Sequence, residues 1–176
     1  MPRGYSCTAL PAAGSQLPGS PLLFDNVHRR NRCWRCRYPN GHSIGVRAEL
    51  PVRVLDTRDG HGVVGGTVGK VAANGEIVVD FAAALGDLPA DATALTFNLT
   101  YADGEGAGFA TVWPDGESMP NVSNLNKVGA GPVANQATVK VGPTGRLRLH
   151  NTGGRSHYIM DFSGFYETIV SRRSKG

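Results

Sequence analysis

From Pro51 onward the chain alternates between apolar and polar positions. In "ATALTFNLTY" (92–101), Leu95, Phe97, Leu99 and Tyr101 fall on one side of an extended backbone and Ala94, Thr96, Asn98 and Thr100 on the other. A period of two marks a strand with one buried face. "GRLRLHN" (145–151) repeats it more sharply: Leu147 and Leu149 oppose Arg146, Arg148 and His150, so one face meets a core and the other meets solvent or a partner. "PVRVLDT", "GEIVVDF", "GFATVWP", "VANQATVKV" and "HYIMDFSGFY" read as further strands, with a weaker one over 123–126. "DGEGAG", "GPTG" and "NTGGRS" supply turns between them. The pattern predicts an all-β fold, a single antiparallel β-sandwich of jelly-roll type with about eight strands. One helical turn is expected within "DFAAALGDLPAD", ended by Pro89.

Residues 1–50 differ in kind. Proline, glycine, arginine and all three cysteines occur there with no period of two or of 3.6. This segment reads as an extended docking arm that becomes ordered only against something else. The expected division is an arm over 1–50, the sandwich over 51–167 and a short tail over 168–176.

Twenty-four glycines and eleven prolines suit short strands and tight turns. The net charge of +4 is unevenly spread. Residues 1–50 hold seven basic and two acidic residues, residues 51–168 eight basic and twelve acidic, and residues 169–176 three basic ones. The sandwich is mildly acidic and both flanks are basic, so the excess charge belongs to segments suited to an anionic partner. No stretch is apolar for long enough to span a bilayer, and "MPRGYSCTALPAAGSQLPGS" lacks the continuous apolar run of a signal peptide.

The densest local motif is "HRRNRCWRCRYPNGH". Cys33 and Cys36 have zinc spacing, and Cys7 and His42 (or His28) could complete a set of four. No second closely spaced ligand pair accompanies them, and an odd cysteine count argues against a closed set of internal disulfides. Zinc, a disulfide and reduced thiols all stay open, with no other cofactor indicated. Arg29, Arg30, Arg32, Arg35 and Arg37 interleave with Trp34 and Tyr38. These groups suit an acidic groove on a neighbouring protein, where arginine and tryptophan are favoured anchors. The alternative, phosphate gripping and base stacking on a nucleic acid, is the weaker reading. "GVVGGTVGK" has the glycines of a phosphate loop but neither its Gly-Lys-Ser/Thr ending nor a following helix.

"RVLDTRDGHG" poses an enzymatic question, since Asp56 between Arg53 and Arg58 could be a general base. No His-Asp-Ser order or glutamate pair accompanies it. The expected role is structural: one arginine forms a two-pronged pair with Asp56 and the other reaches Asp161 in the last strand, tying first strand to last. Asn98, Asn124, Asn126, Asn135 and Asn151 lie within or beside strands, where asparagine is depleted. They suggest a hydrogen-bonded network linking the two sheets. A carbohydrate cleft with Trp113 or Tyr101 as stacking platform is the functional rival.

Taken together, "RVLDTRDG", "LTFNLTYADGEGAGFATVWPDGESMPNVSNLN" and "GPVANQATVKVGPTGRLRLHNTGGRSHYIMDFSGFYE" resemble a β-sandwich module of actinobacterial secreted and surface proteins and of virion proteins of their phages. The resemblance covers 51–167. It implies a scaffold or interaction module without catalytic activity. Together with the basic arm and the missing signal peptide, it leads to the expectation of a phage structural protein: a capsid decoration, minor capsid or tail component located in the virion. Its partners would be major capsid or tail proteins, with self-association, a trimer included, and host-surface glycan as further contacts. The alternative is a carbohydrate-binding module of an actinobacterial cell envelope or secreted protein.

Overall fold

The computed structural model describes residues 33–37, 42–86, 88–129, 131–142 and 144–170, with the backbone alone for 33–37, His42, Ala82 and Val170. Nine strands and one short helix follow in order: β1 Cys33–Arg37, β2 His42–Asp56, β3 Glu76–Asp80, α1 Phe81–Leu85, β4 Ala92–Ala102, β5 Gly108–Pro114, β6 Leu125–Lys127, β7 Val133–Lys140, β8 Arg146–Gly153 and β9 His157–Val170. They form a five-stranded sheet, β1-β2-β9-β4-β7, and a four-stranded sheet, β3-β8-β5-β6. Every pairing is antiparallel. With β1 set aside and β2 to β9 counted one to eight, the strand orders are 1-8-3-6 and 2-7-4-5. That is the double Greek key of a jelly roll.

The alternating pattern states which face is buried. Leu95, Phe97, Leu99 and Tyr101 of β4 are wholly buried, as are Leu147 and Leu149 of β8. They meet Leu55, Val79, Phe81, Met160 and Phe162 between the sheets. Phe81 stacks tilted on Phe97 at 5.9 Å and edge-on to Phe162 at 6.4 Å, so the short helix closes one end of the core with an aromatic plug. Asp80 caps that helix by accepting from the Ala83 amide at 3.0 Å. The helix stops at Gly86, whose φ of 77° suits glycine alone, three residues before the proline expected to end it.

The sandwich takes in chain that the sequence reading gave to the arm and the tail. β2 begins at His42 and pairs with β9 as far as Val170. Position 51 falls inside β2, where the register shifts between Ala48 and Val52. Pro51 cannot donate to a ladder, so it sits in an irregularity that looks like a strand start in sequence. Leu50 beside it is 85% exposed. β1 then adds a ninth strand along the edge of β2, with Cys33 opposite Arg47 and Arg37 opposite Ser43. Among the described residues no helix is long and apolar enough to cross a membrane.

Candidate functional site

Asp56 ends β2 where the chain turns back on itself, its amide donating to the His61 carbonyl and its carbonyl accepting from the Gly60 amide, both at 3.0 Å. The carboxylate is gripped by Arg58 through Nε at 2.8 Å and Nη2 at 2.6 Å, and also accepts from the Arg58 amide at 3.1 Å. Arg53 completes the group, its Nη1 3.3 Å from Asp56 and its Nε 2.9 Å from Asp161 of β9. The structure therefore brings Arg53, Asp56, Arg58 and Asp161 into one chain of charges across the first and last strands of the jelly roll. Hydrogen bonds from Arg58, above all, hold the Asp56 carboxyl below its usual range. Four N–H donors converge on a carboxylate that is only 5% exposed, so its oxygens are engaged with the strand tie.

The asparagines do not form one inter-sheet network. Asn98 lies on the outer face of β4 and donates to Thr100 at 3.2 Å, Asn126 is exposed, and Asn135 donates across to the Asn124 carbonyl at 2.7 Å. Asn124 in turn accepts from the Val112 amide at 2.7 Å and fixes the strand before β6. Only Asn151 is fully buried. Its Oδ1 accepts from Lys127 Nζ at 2.6 Å and from the Tyr158 hydroxyl at 2.7 Å, while its Nδ2 donates to the carbonyls of Val71, Ala72 and Gly154.

Lys127 is the residue that sequence reasoning missed. It is 2% exposed, and its Nζ donates to Asn151, to the Gly154 carbonyl and to Ser156 Oγ, the last two at 3.2 Å. The same nitrogen lies 5.3 Å above the Tyr101 ring. Three N–H groups thus find three neutral acceptors and a π face, the set an isolated ammonium needs inside a protein. Burial pushes its pKa down and pushes the Tyr158 hydroxyl up. The clue in the sequence was the two-residue alternation of "SNLNKV", which sets Leu125 and Lys127 on the same side.

Trp113 and Tyr101 do not offer a sugar platform. Tyr101 is core, its hydroxyl bonded to the Gly129 carbonyl. Trp113 is 3% exposed because the segment between β5 and β6 folds over it, taking the indole N–H on the Glu117 carbonyl at 3.0 Å and the Thr111 hydroxyl on the Val122 carbonyl at 2.6 Å. The glycan-contact expectation is corrected for both residues: each is large and apolar enough to be more stable under cover.

The two outer faces differ in chemistry. On the four-stranded sheet, Arg146 pairs with Asp80 at 3.0 Å and Arg148 with Asp115 at 2.6 Å and with Glu76. On the five-stranded sheet, β4 and β7 present the uncharged Thr96, Asn98, Thr100, Ala134, Gln136 and Thr138, with Lys140 at the end of β7 held 2.7 Å from Glu117. A row of small residues, Ala48, Gly164, Thr96 and Thr138, crosses four strands in register. It floors an open trough of about 370 Å³ walled by Val46, Tyr166, Gln136 and Ser163.

Cys7, Arg29, Arg30, Arg32 and Tyr38 lie outside the described residues, as does the tail from 171 onward. Trp34, Arg35 and Arg37 take register positions opposite Val46, Gly45 and Ser43, and Cys33 and Cys36 lie on the same strand. No group of three or more metal-ligating side chains occurs among the described residues. Fold and faces together define a jelly-roll module with one outer face laced by arginine–carboxylate pairs and another whose central rows are uncharged. Comparison with family models, curated proteins and solved structures finds no match for the chain.

Proposed function

We propose that this chain is a non-enzymatic structural protein of a phage particle, a capsid decoration or a minor capsid or tail component, held by its basic flanks with the jelly roll displayed. The observation that carries this reading is the register of β1, β2 and β9 in the five-stranded sheet. Cys33, which follows Arg29, Arg30 and Arg32, pairs with Arg47, and Val170, which precedes Arg172, Arg173 and Lys175, pairs with His42. Five residues of strand separate Arg47 from His42, about 17 Å. Both basic runs therefore join the same sheet close together, one at edge strand β1 and the other at the end of β9 two strands in, while residues 51–168, with eight basic against twelve acidic residues, carry −4. A molecule polarised in this way orients on an acidic lattice, and repetition over that lattice makes modest contacts hold by avidity.

The test is mass spectrometry of purified particles before and after limited proteolysis. Peptides from both 1–32 and 42–167 are expected, with the first group protected only in intact particles. Absence of the chain from particles, or equal cleavage of the basic segment in free and particle-bound protein, would overturn the reading.

A further inference from the structure

The trough on the five-stranded sheet has chemistry that the docking edge does not use. Gly164, Thr96 and Thr138 lie side by side across three strands, so a depression forms where larger side chains would fill the surface. Its volume of about 370 Å³ is at the small end of ligand sites, which run to about 300–1,000 Å³.

Three properties of the walls narrow the occupant. First, polar groups are available there. Thr96 and Thr138 share a hydrogen bond at 3.0 Å and Ser163 donates to the Thr96 carbonyl at 3.3 Å. The Gln136 amide and the Tyr166 hydroxyl have no hydrogen-bond partner among the described residues. An amide and a phenol both donate and accept, which suits hydroxyl groups that do the same. Second, Tyr166 brings a half-buried aromatic ring to one wall, an apolar body with a polar tip. Third, among the described residues the trough has no unmatched charge: Arg47 at its end is held 3.3 Å from Glu167 and lies 5.3 Å over the Phe165 ring, and Asp161 beyond it is paired with Arg53. An anionic ligand would find no free cation among those residues, and an apolar one would leave the amide and hydroxyls unpaired.

We infer that this trough binds an uncharged glycan, with the Tyr166 ring against a sugar face and Gln136, Thr138 and Ser163 on its hydroxyls. The inference adds a ligand to the displayed module proposed above, but it is measured on the free chain, so its failure leaves the docking reading standing and the reverse also holds.

The experiment is titration calorimetry of the full chain with uncharged gluco-, manno-, galacto- and arabino-oligosaccharides, alongside uronic-acid and sulfated counterparts. Binding to at least one uncharged oligosaccharide is expected, weakened about tenfold by Tyr166→Ala and by Gln136→Ala, the loss of roughly one good contact each. Both side chains lie at the surface, so the variants are expected to keep the parent melting temperature, and Arg155→Ala, outside the trough, serves as the unaffected control. Three results would overturn the inference: no uncharged oligosaccharide binds, acidic ones bind better, or binding survives both variants. A self-associated chain that Tyr166→Ala disperses would assign the trough to a second copy instead, and would equally overturn it.

Discussion

Asn151→Ala is expected to be among the most destabilising single substitutions in this protein, although it removes no apolar surface. The side chain is fully buried and joins three separate pieces of chain: the 71–72 segment, β6 through Lys127 and β9 through Tyr158. Truncation does not strand the backbone carbonyls, because Val71 still accepts from the Ser156 amide, Ala72 from the Gly75 amide and Gly154 from Lys127 and Ser156. What it strands is the Tyr158 hydroxyl, at a cost of about 1–3 kcal/mol, and one of the three acceptors of a buried ammonium, at a further 1.5–3 kcal/mol or so. A total of about 2.5–6 kcal/mol follows, or a fall in Tm of roughly 5–24 °C at about 2–4 °C per kcal/mol for a chain of this size. A double-mutant cycle isolates the cause. Lys127→Met removes the charge and leaves Asn151 bonded to Tyr158, so it should cost about 1.5 kcal/mol at most. In that background Asn151→Ala should cost about 1.5–3 kcal/mol less than it does alone. Thermal and urea unfolding of the four proteins provide the measurement. A fall of less than about 4 °C for Asn151→Ala, or strict additivity with Lys127→Met, would refute the reasoning.

Other outcomes follow from the same geometry. Burial makes the folded state hold the Lys127 proton less tightly than the unfolded state does, so between the lowered folded pKa and the unfolded value of 10.5 the unfolded chain binds more protons and stability rises with pH. Tyr158, pushed up, acts in the opposite sense above its ordinary value of about 10; denaturant titrations from pH 7 to 10 should therefore show a rise that Lys127→Met abolishes, and an identical rise in both proteins would count against it. Asp56→Asn should destabilise by about 2 kcal/mol at pH 7, less than the 3–5 kcal/mol of a wholly buried pair because Arg53 and Arg58 are half exposed and rehydrate. The lowered Asp56 pKa places that contribution above the unfolded value of 3.8 and removes it as pH falls through the folded one, so the gap between wild type and variant should close in acid. Trp113→Ala should lower stability by about 3–5 kcal/mol while leaving oligosaccharide titration unchanged in the folded protein, the reverse of what a stacking platform would show. Gly62→Ala should cost more than about 2 kcal/mol by chemical denaturation: its φ of 72° disfavours a side chain, and a methyl group would overlap the Val54 carbonyl.

The sequence by itself determined the layers. Alternation in 92–101 and 145–151 decided which residues face the core, because a strand has a period of two and one face must leave water. The short distance between charges in "RVLDTRDG" made the Arg58–Asp56 pair local, so it too was legible. What crosses large sequence distances was decided only by the tertiary structure. Pro51 reads as a boundary, yet the pairing of β2 with β9 carries the ladder through it and draws His42 and Val170 into the sandwich. Trp113 has the look of an exposed platform until the segment after Pro114 folds over it. Lys127 looks like one more surface cation; only the meeting of β6 with β4, β8 and the turn after β8 surrounds it with Asn151, Gly154, Ser156 and Tyr101. The trough likewise exists because Ala48, Thr96, Thr138 and Gly164, small residues scattered over four strands, come into one row. Periodicity is a property of neighbours along the chain, whereas burial of a charge and the depth of a surface depend on which strands the fold sets side by side.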